Sequence, residues 1–344
     1  MKSPIDEVEE FPSAATQVGW LDEGRGRVLC FRPRGNVPLL AEWAESEAEL
    51  IAEAVRRHGA VLFRGFRVDD VGEAANATQG FSRFIAATSR QWADYREPAT
   101  PRSQVASNIF TSTEYPADQR IPLHNENSHC TSWPLKIYFH SIVPARVGGE
   151  TPIADCRKVL ARLPDGLVAR FEARRWRYTR HFGSGLGFSW SKVFQTSDRD
   201  QVERYCCDNG MTYTWGRNDS LTVRYVRPAV RVHPLTGEAI WFNHGLFFNP
   251  MSIDPEIREM LLESFSREEL PYDTSYGDGA PIDPADLQTI ADAYAAEMRQ
   301  FAWQVDDVLC VDNMLFAHGR STFKGPRRVL VGMADSYVPE DGTR

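Results

Sequence analysis

The chain is short of several things that would place it in a common class. Nowhere in its 344 residues does an apolar run approach the ~20 residues of a membrane-spanning helix. Its first residues, MKSPIDEVEEF, are acidic and hold no apolar segment of the kind a secretory signal needs. These absences predict a soluble, cytoplasmic protein with no membrane partner. Basic charge is also in deficit. Lys and Arg number 39 against 47 Asp and Glu, a formal net charge of -8. That excludes a general nucleic-acid binder, which needs clustered cations, but leaves room for a locally basic pocket that takes an anion. The six cysteines, Cys30, Cys130, Cys156, Cys206, Cys207 and Cys310, form no C-x-x-C pair, so a zinc ribbon is excluded. Adjacent Cys206 and Cys207 argue for reduced thiols rather than a disulfide framework. No G-x-G-x-x-G follows the first strand, and GSGLGF at 183–188 lacks the spacing of a dinucleotide fingerprint. There is no internal repeat and no low-complexity linker.

What is present is ordinary globular composition, 42% hydrophobic and 25% charged, at a length that buries a sizeable core in a single domain over 1–344. Residues 1–37 read as an extended arm with one strand at 27–31, and 38–344 as the core with helical insertions. Apolar residues at helical spacing predict a helix over 39–58, stopped at Gly59, followed by a buried strand in GAVLFRGF, 59–66. Further helices are predicted near 70–88, 156–172, 197–209, 254–269 and 284–301. Strands are predicted at 136–143, after the Gly-Gly turn of VGGETPIAD, in RRWRYTRHF, MTYTW, LTVRYVRP and AIWFNH, and in the two alternating stretches around 306–313 and 327–338. Residues 98–120 read as irregular, and MLFAHGRSTFKGP as a loop. Short strands separated by turns, without regular strand–helix alternation, predict a mostly β fold with flanking helices, a distorted sandwich or barrel.

The chemistry concentrates in two segments. In IPLHNENSHC, 121–130, His124 and Glu126 are two apart, which on a strand turns both side chains to one face. An imidazole and a carboxylate so placed are two thirds of a 2-His-1-carboxylate site, which leaves open positions on Fe(II). His129 has three open roles: ligand, support for a ligand, or exposed residue. In DDVLCVDNMLFAHGRSTFKGPRR, 306–328, His318 is the candidate for a distant third ligand, the competing reading being a capped turn followed by a surface Arg pair. Arg327 and Arg328 offer planar forks for a carboxylate.

Together these segments resemble the taurine dioxygenase-like (TauD/TfdA) superfamily of Fe(II)/2-oxoglutarate oxygenases, which includes clavaminate synthase. GAVLFRGF resembles its entry strand, HNE at 124–126 its proximal ligand motif and GGET at 148–151 its post-ligand turn. DNMLFAHGR, 312–320, resembles the distal histidine segment, and GPRRVL carries the co-substrate arginine. Many members have Asp where this chain has Glu126. Related halogenases have a small residue there, so the carboxylate disfavours chlorination. STEYPADQRIPLHNENS, KIYF…GGETPIAD and TGEAIWFNH are similar to a SyrP-like subgroup associated with β-hydroxylation of amino acids in nonribosomal peptide pathways.

The resemblance implies a distorted double-stranded β-helix (jelly roll) of the clavaminate synthase type. It implies iron on His124, Glu126 and His318, with 2-oxoglutarate bound by Thr151 and by Arg327 or Arg328. O2 is consumed, and succinate and CO2 leave with a hydroxylated product. The implied substrate is an amino acid or a derivative, free or on a peptidyl or acyl carrier protein, and the enzyme is a candidate homo-oligomer. Asn125, His244 and Arg224 are the candidate substrate contacts. For His244 the competing reading is a core histidine, for Arg224 a solvated face. Asp312 and Asn313 either set the distal histidine's segment or bond within a turn. Three other functions stay open on the same residues: desaturation or cyclisation with the same cofactors, a non-catalytic binding module, and a zinc hydrolase built on His124, His129 and His318.

Overall fold

The structure is a computed structural model that describes residues 5–8, 11, 13–69, 78–93, 103–112, 115–183 and 185–339. Among the described residues its main sheet has nine strands. In spatial order they are Ile5–Glu7, Thr16–Asp22, Arg27–Pro33, Ala60–Phe63, Val308–Asp312, Trp133–Val143, Arg328–Tyr337, Ile109–Thr111 and Gln104–Ala106. A four-stranded sheet holds Met298–Arg299, Ile153–Asp155, Phe316–Arg320 and Ile121–His124 in that order. Another holds Thr212–Trp215, Leu221–Arg227, Trp176–Phe182 and Tyr272–Tyr276. Among the described residues none of the sheets closes on itself. The architecture is the expected mostly β jelly-roll core with flanking helices.

Strand composition explains the layers. Val308–Asp312 and Ala60–Phe63 are buried along their whole length, as apolar runs covered on both faces must be. Trp176–Phe182 and Leu221–Arg227 instead alternate strictly between buried and half-buried, so each shows one face to the core. One apolar cluster packs between the sheets under the site. A second lies under the N-terminal helices Leu40–Ser46, Ala48–His58 and Gln79–Thr88.

Several expectations need correction. The N-terminal 37 residues supply three strands of the main sheet, not one. The helix over 39–58 breaks at Glu47. Ser46 Oγ donates back to the Trp43 carbonyl at 2.8 Å, a local bond that competes with the helical ladder. Gly59 does end it, in the left-handed region at φ 70°. The helix over 156–172 divides into Cys156–Arg162 and Asp165–Arg174, because Pro164 forces Leu163 out of helical geometry. Of the helix near 70–88, Gln79–Thr88 is present, and 70–77 lie outside the described residues. Within 98–120, read as irregular, Gln104–Ala106 and Ile109–Thr111 extend the main sheet. The loop containing His318 is a strand, Phe316–Arg320, buried throughout. All six cysteines are free thiols. Among the described residues, no helix is long and apolar enough to cross a membrane.

Candidate metal centre

His318 and His124, 194 positions apart, are direct cross-strand partners in the antiparallel pair Phe316–Arg320 and Ile121–His124. Opposed residues point to the same face, so the register alone brings the two imidazoles together, with ring centroids 4.6 Å apart. Glu126 arrives differently from the expectation. It lies past the end of its strand, in a turn that passes through Asn127 at φ 54°. Two turn residues therefore achieve what a continued strand does not provide, and the carboxylate still converges. Glu126 Oε2 lies 3.9 Å from His124 Nε2 and 3.9 Å from His318 Nε2. Ligand atoms of the three residues lie within 4.8 Å of one another, and all three side chains are buried.

The donor chemistry fits a divalent ion. His124 Nδ1 donates to the Pro122 carbonyl at 2.8 Å, which fixes the tautomer and leaves Nε2 as a lone pair facing Glu126. Donors about 2.1 Å from a shared ion are separated by roughly 3–4 Å, close to the spacing seen. Two imidazoles and one carboxylate leave the rest of an iron coordination sphere open.

Asn313 holds the turn. Its Oδ1 accepts from the Glu126 N–H at 2.8 Å, and its Nδ2 donates to the Glu126 and Pro134 carbonyls at 2.9 and 2.8 Å. Asp312 accepts from the backbone of Met314 and Leu315 and pairs with His233 at 3.0 Å. Both residues thus brace the strand that carries His318 and the turn that carries Glu126. Asn313→Ala should weaken iron binding by about 10- to 100-fold while secondary structure is retained, measured as the iron dissociation constant beside circular dichroism.

Next to the cluster is a recess lined by Ser112, Ile121, His124, Phe139, Thr151, His318, Gly319, Arg320, Arg327 and Val331. Thr151 Oγ1 accepts from Trp303 Nε1 at 3.2 Å, so its own hydroxyl hydrogen is left to donate. Arg327 donates to the Gly149 carbonyl at 2.8 Å and to Ser112 Oγ at 3.0 Å. Among the described residues its Nη2 makes no hydrogen bond. Burial, and then the nearby Arg320 cation, push the Arg327 guanidinium down to about 10, which marks a site that gains from an anion. The Gly-Gly turn is what lets this side chain in. Both glycines have positive φ. A Cβ on Gly148 would lie 2.1 Å from the Thr322 carbonyl oxygen, and one on Gly149 3.0 Å from Arg327 Cδ.

The remaining candidates fall elsewhere. Arg328 is exposed on the first residue of its strand and does not line the recess. His129 is fully buried but outside the cluster, with Nε2 3.5 Å from Cys130 Sγ. This corrects the zinc site built on His124, His129 and His318. Asn125 is buried and donates to the Asn313 carbonyl at 2.6 Å, so it fastens the turn and does not face a ligand. Arg224 occupies the outward row of its strand, beside Thr179 and Thr212, turned from the core. The inward row carries Arg227 instead, and the facing strand Arg180, both 1% exposed. His244 does touch the site, its ring centroid 5.3 Å from that of His124.

Sequence reasoning missed Arg320, which lines the recess and whose guanidinium donates to the carbonyls of Tyr115, Pro116 and Gln119 at 2.8, 2.5 and 2.7 Å, fastening that loop. Its signal was its place two residues after His318. It also missed Arg180, which lies buried on the core face of Trp176–Phe182.

A jelly roll carrying this donor set beside a basic recess defines a class, the Fe(II)- and 2-oxoglutarate-dependent dioxygenases. The sequence model described as "Taurine catabolism dioxygenase TauD, TfdA family" matches residues 26–334, and the chain belongs to that family. Dapdiamide synthesis protein DdaC of Enterobacter agglomerans is 36% identical over 289 residues, covering 84% of this chain and 86% of that protein. A clavaminate synthase-like protein of Arabidopsis thaliana is 29% identical over 312 residues, covering 88% and 89%. Among solved structures, PvcB of Pseudomonas aeruginosa shares the fold with a TM-score of 0.57 at 14% identity, over 96% of this chain and 95% of that one.

Proposed function

We propose that this dioxygenase hydroxylates an unactivated carbon of an amino acid or amino-acid derivative in specialised metabolism, with His124, Glu126 and His318 as the iron ligands. The observation that carries the ligand assignment is the cross-strand register of His124 and His318, with Glu126 equidistant from both. The 36% identity to a dapdiamide synthesis protein supports an amino-acid-derived substrate in a biosynthetic role. Attachment of that substrate to a carrier protein, a homo-oligomeric assembly, a single domain over 1–344 and a cytoplasmic location belong to the same reading.

When bound, the iron supplies the oxidising chemistry. The chain's own residues do the rest. The Pro122 carbonyl holds His124 in its ligating tautomer, and Asn313 fixes the turn beneath Glu126. Arg327 pairs with the far carboxylate of 2-oxoglutarate, and the Thr151 hydroxyl donates to it. Arg320 lines the recess and fastens the loop at 115–119 to the strand that carries His318.

The test is aerobic incubation with Fe(II), 2-oxoglutarate and a panel of free and thioester-bound amino acids. The expected result is a product 16 mass units heavier, formed with one succinate per turnover. Product of unchanged mass, or one two units lighter, would contradict hydroxylation. The recess adds a second expectation. Arg327→Ala should raise KM for 2-oxoglutarate about 100-fold, the loss of a charge-assisted pair in a buried setting, while Arg328→Ala stays within about twofold. Steady-state succinate release separates the two.

A further inference from the structure

His244 stands where the strand Ala239–Trp241 gives way to the short helix Gly245–Phe248. Its Nδ1 lies 3.0 Å from the Asn125 carbonyl oxygen, which can only accept, and 3.3 Å from Ser128 Oγ. The Ser128 hydroxyl hydrogen is already donated to the same carbonyl at 2.8 Å. Nδ1 must therefore carry the hydrogen, and Nε2 keeps its lone pair.

Nε2 is then a desolvated acceptor. The residue is 3% exposed, and among the described residues Nε2 has no hydrogen-bond partner. Buried acceptors in folded proteins are nearly always paired, so this one asks for a donor that the chain does not supply. Its position says where the donor comes from. The ring packs edge-on against His124 and lies 4.7 Å from Phe247, which is itself 4.6 Å from His124 and only partly buried. Neither His244 nor Phe247 lines the recess of Thr151 and Arg327, so the acceptor is off the path assigned to 2-oxoglutarate. His129 also has an orphan nitrogen, but its ring contacts are to Tyr178, Tyr225, His244 and Phe248, one layer further from the ligands.

We propose that His244 Nε2 accepts a hydrogen bond from an N–H of the amino-acid part of the substrate and so selects what sits beside His124. A lone pair rejects a carboxylate and rewards a donor, and the nitrogen of an amino acid, free or acylated, provides one. The proposal rests on the reading of His124 as an iron ligand.

The experiment is an anaerobic titration of the enzyme loaded with Fe(II) and 2-oxoglutarate, following the visible absorption band. The probes are L-amino acids and their N-acetylcysteamine thioesters, each paired with the analogue in which hydrogen replaces the amino group. In the wild type, an amino compound perturbs the band with a Kd roughly ten- to a hundredfold below that of its desamino partner. His244→Asn keeps a donor for the Asn125 carbonyl but lacks the far acceptor. It should retain the unperturbed band and bind the two partners alike. His244→Gln, which can present an oxygen near the Nε2 position, should recover part of the preference. Equal binding by the wild type, a preference that survives in His244→Asn, or no perturbation by any amino compound would overturn the proposal. Failure of the wild type to form the band at all is a separate outcome, which overturns the iron site and this inference with it.

Discussion

Alanine at position 318 is expected to stop succinate formation and to lower iron affinity to less than about one hundredth of the wild-type value. Removing partners that merely orient a ligand costs 10- to 100-fold, so loss of the ligand itself costs at least the upper end of that range. The fold survives, because His318 contributes its backbone to a ladder between Ile121–His124 and Ile153–Asp155, and alanine keeps that ladder. Glu126→Ala should give the same outcome by another route. Its backbone stays clamped by Asn313, and only the carboxylate that both imidazoles face is gone. Iron content, succinate release and circular dichroism on the two variants check this. Near-normal turnover in either would remove that residue from the site.

Breaking the buried ion pair of Arg64 and Asp307 destabilises the whole molecule. Arg64 donates through Nε and Nη2 to the Asp307 carboxylate, at 3.0 and 2.6 Å for the shortest contacts, and through Nη2 to the Ala302 carbonyl at 2.7 Å. Nη1 reaches Glu23 at 2.8 Å. The arginine side chain is 3% exposed and the aspartate 0%. These bonds tie the strand Ala60–Phe63 and the turn after Asp22 to the segment that carries Trp303, the donor to Thr151. Asp307→Ala leaves a buried guanidinium without its main partner and should cost about 3–5 kcal/mol. That corresponds to a fall in Tm of roughly 4–7 °C in a chain of 344 residues. A paired replacement, Arg64→Met with Asp307→Leu, should recover much of the loss, because removing both charges also removes their desolvation cost. Calorimetry on the two variants decides it. Equal Tm for Asp307→Ala and wild type would mean the pair contributes nothing.

Much of the site was legible because motif and chemistry agreed. His124 and Glu126 were found by spacing, and His318 by the segment around it, although the reasons differed in the folded chain. Glu126 reaches the site from a turn, and no local pattern announces the positive φ of Asn127 or the clamp from Asn313, 187 residues away. The choice between Arg327 and Arg328 needed the register of Arg328–Tyr337, which exposes Arg328 at the strand's start. Arg224 was misplaced by its charge. On Leu221–Arg227 the outward row carries Arg224 and the inward row Arg227, and alternation alone does not say which row is buried when arginine occurs in both. The jelly roll followed from many short strands. The N-terminal strands did not, because Ile5–Glu7 and Thr16–Asp22 sit in a stretch rich in Gly, Pro and charge and gain their stability by pairing onto an existing sheet edge.

The central claim is that His124, Glu126 and His318 gather around one ferrous ion which 2-oxoglutarate then joins. The direct measurement is an anaerobic titration of the metal-free protein with Fe(II) in the presence of 2-oxoglutarate, recorded in the visible region. A charge-transfer band that saturates at one iron per chain, and is lost in His124→Ala, is the predicted result. Absence of any band, or a band that persists undiminished in His124→Ala, would contradict it.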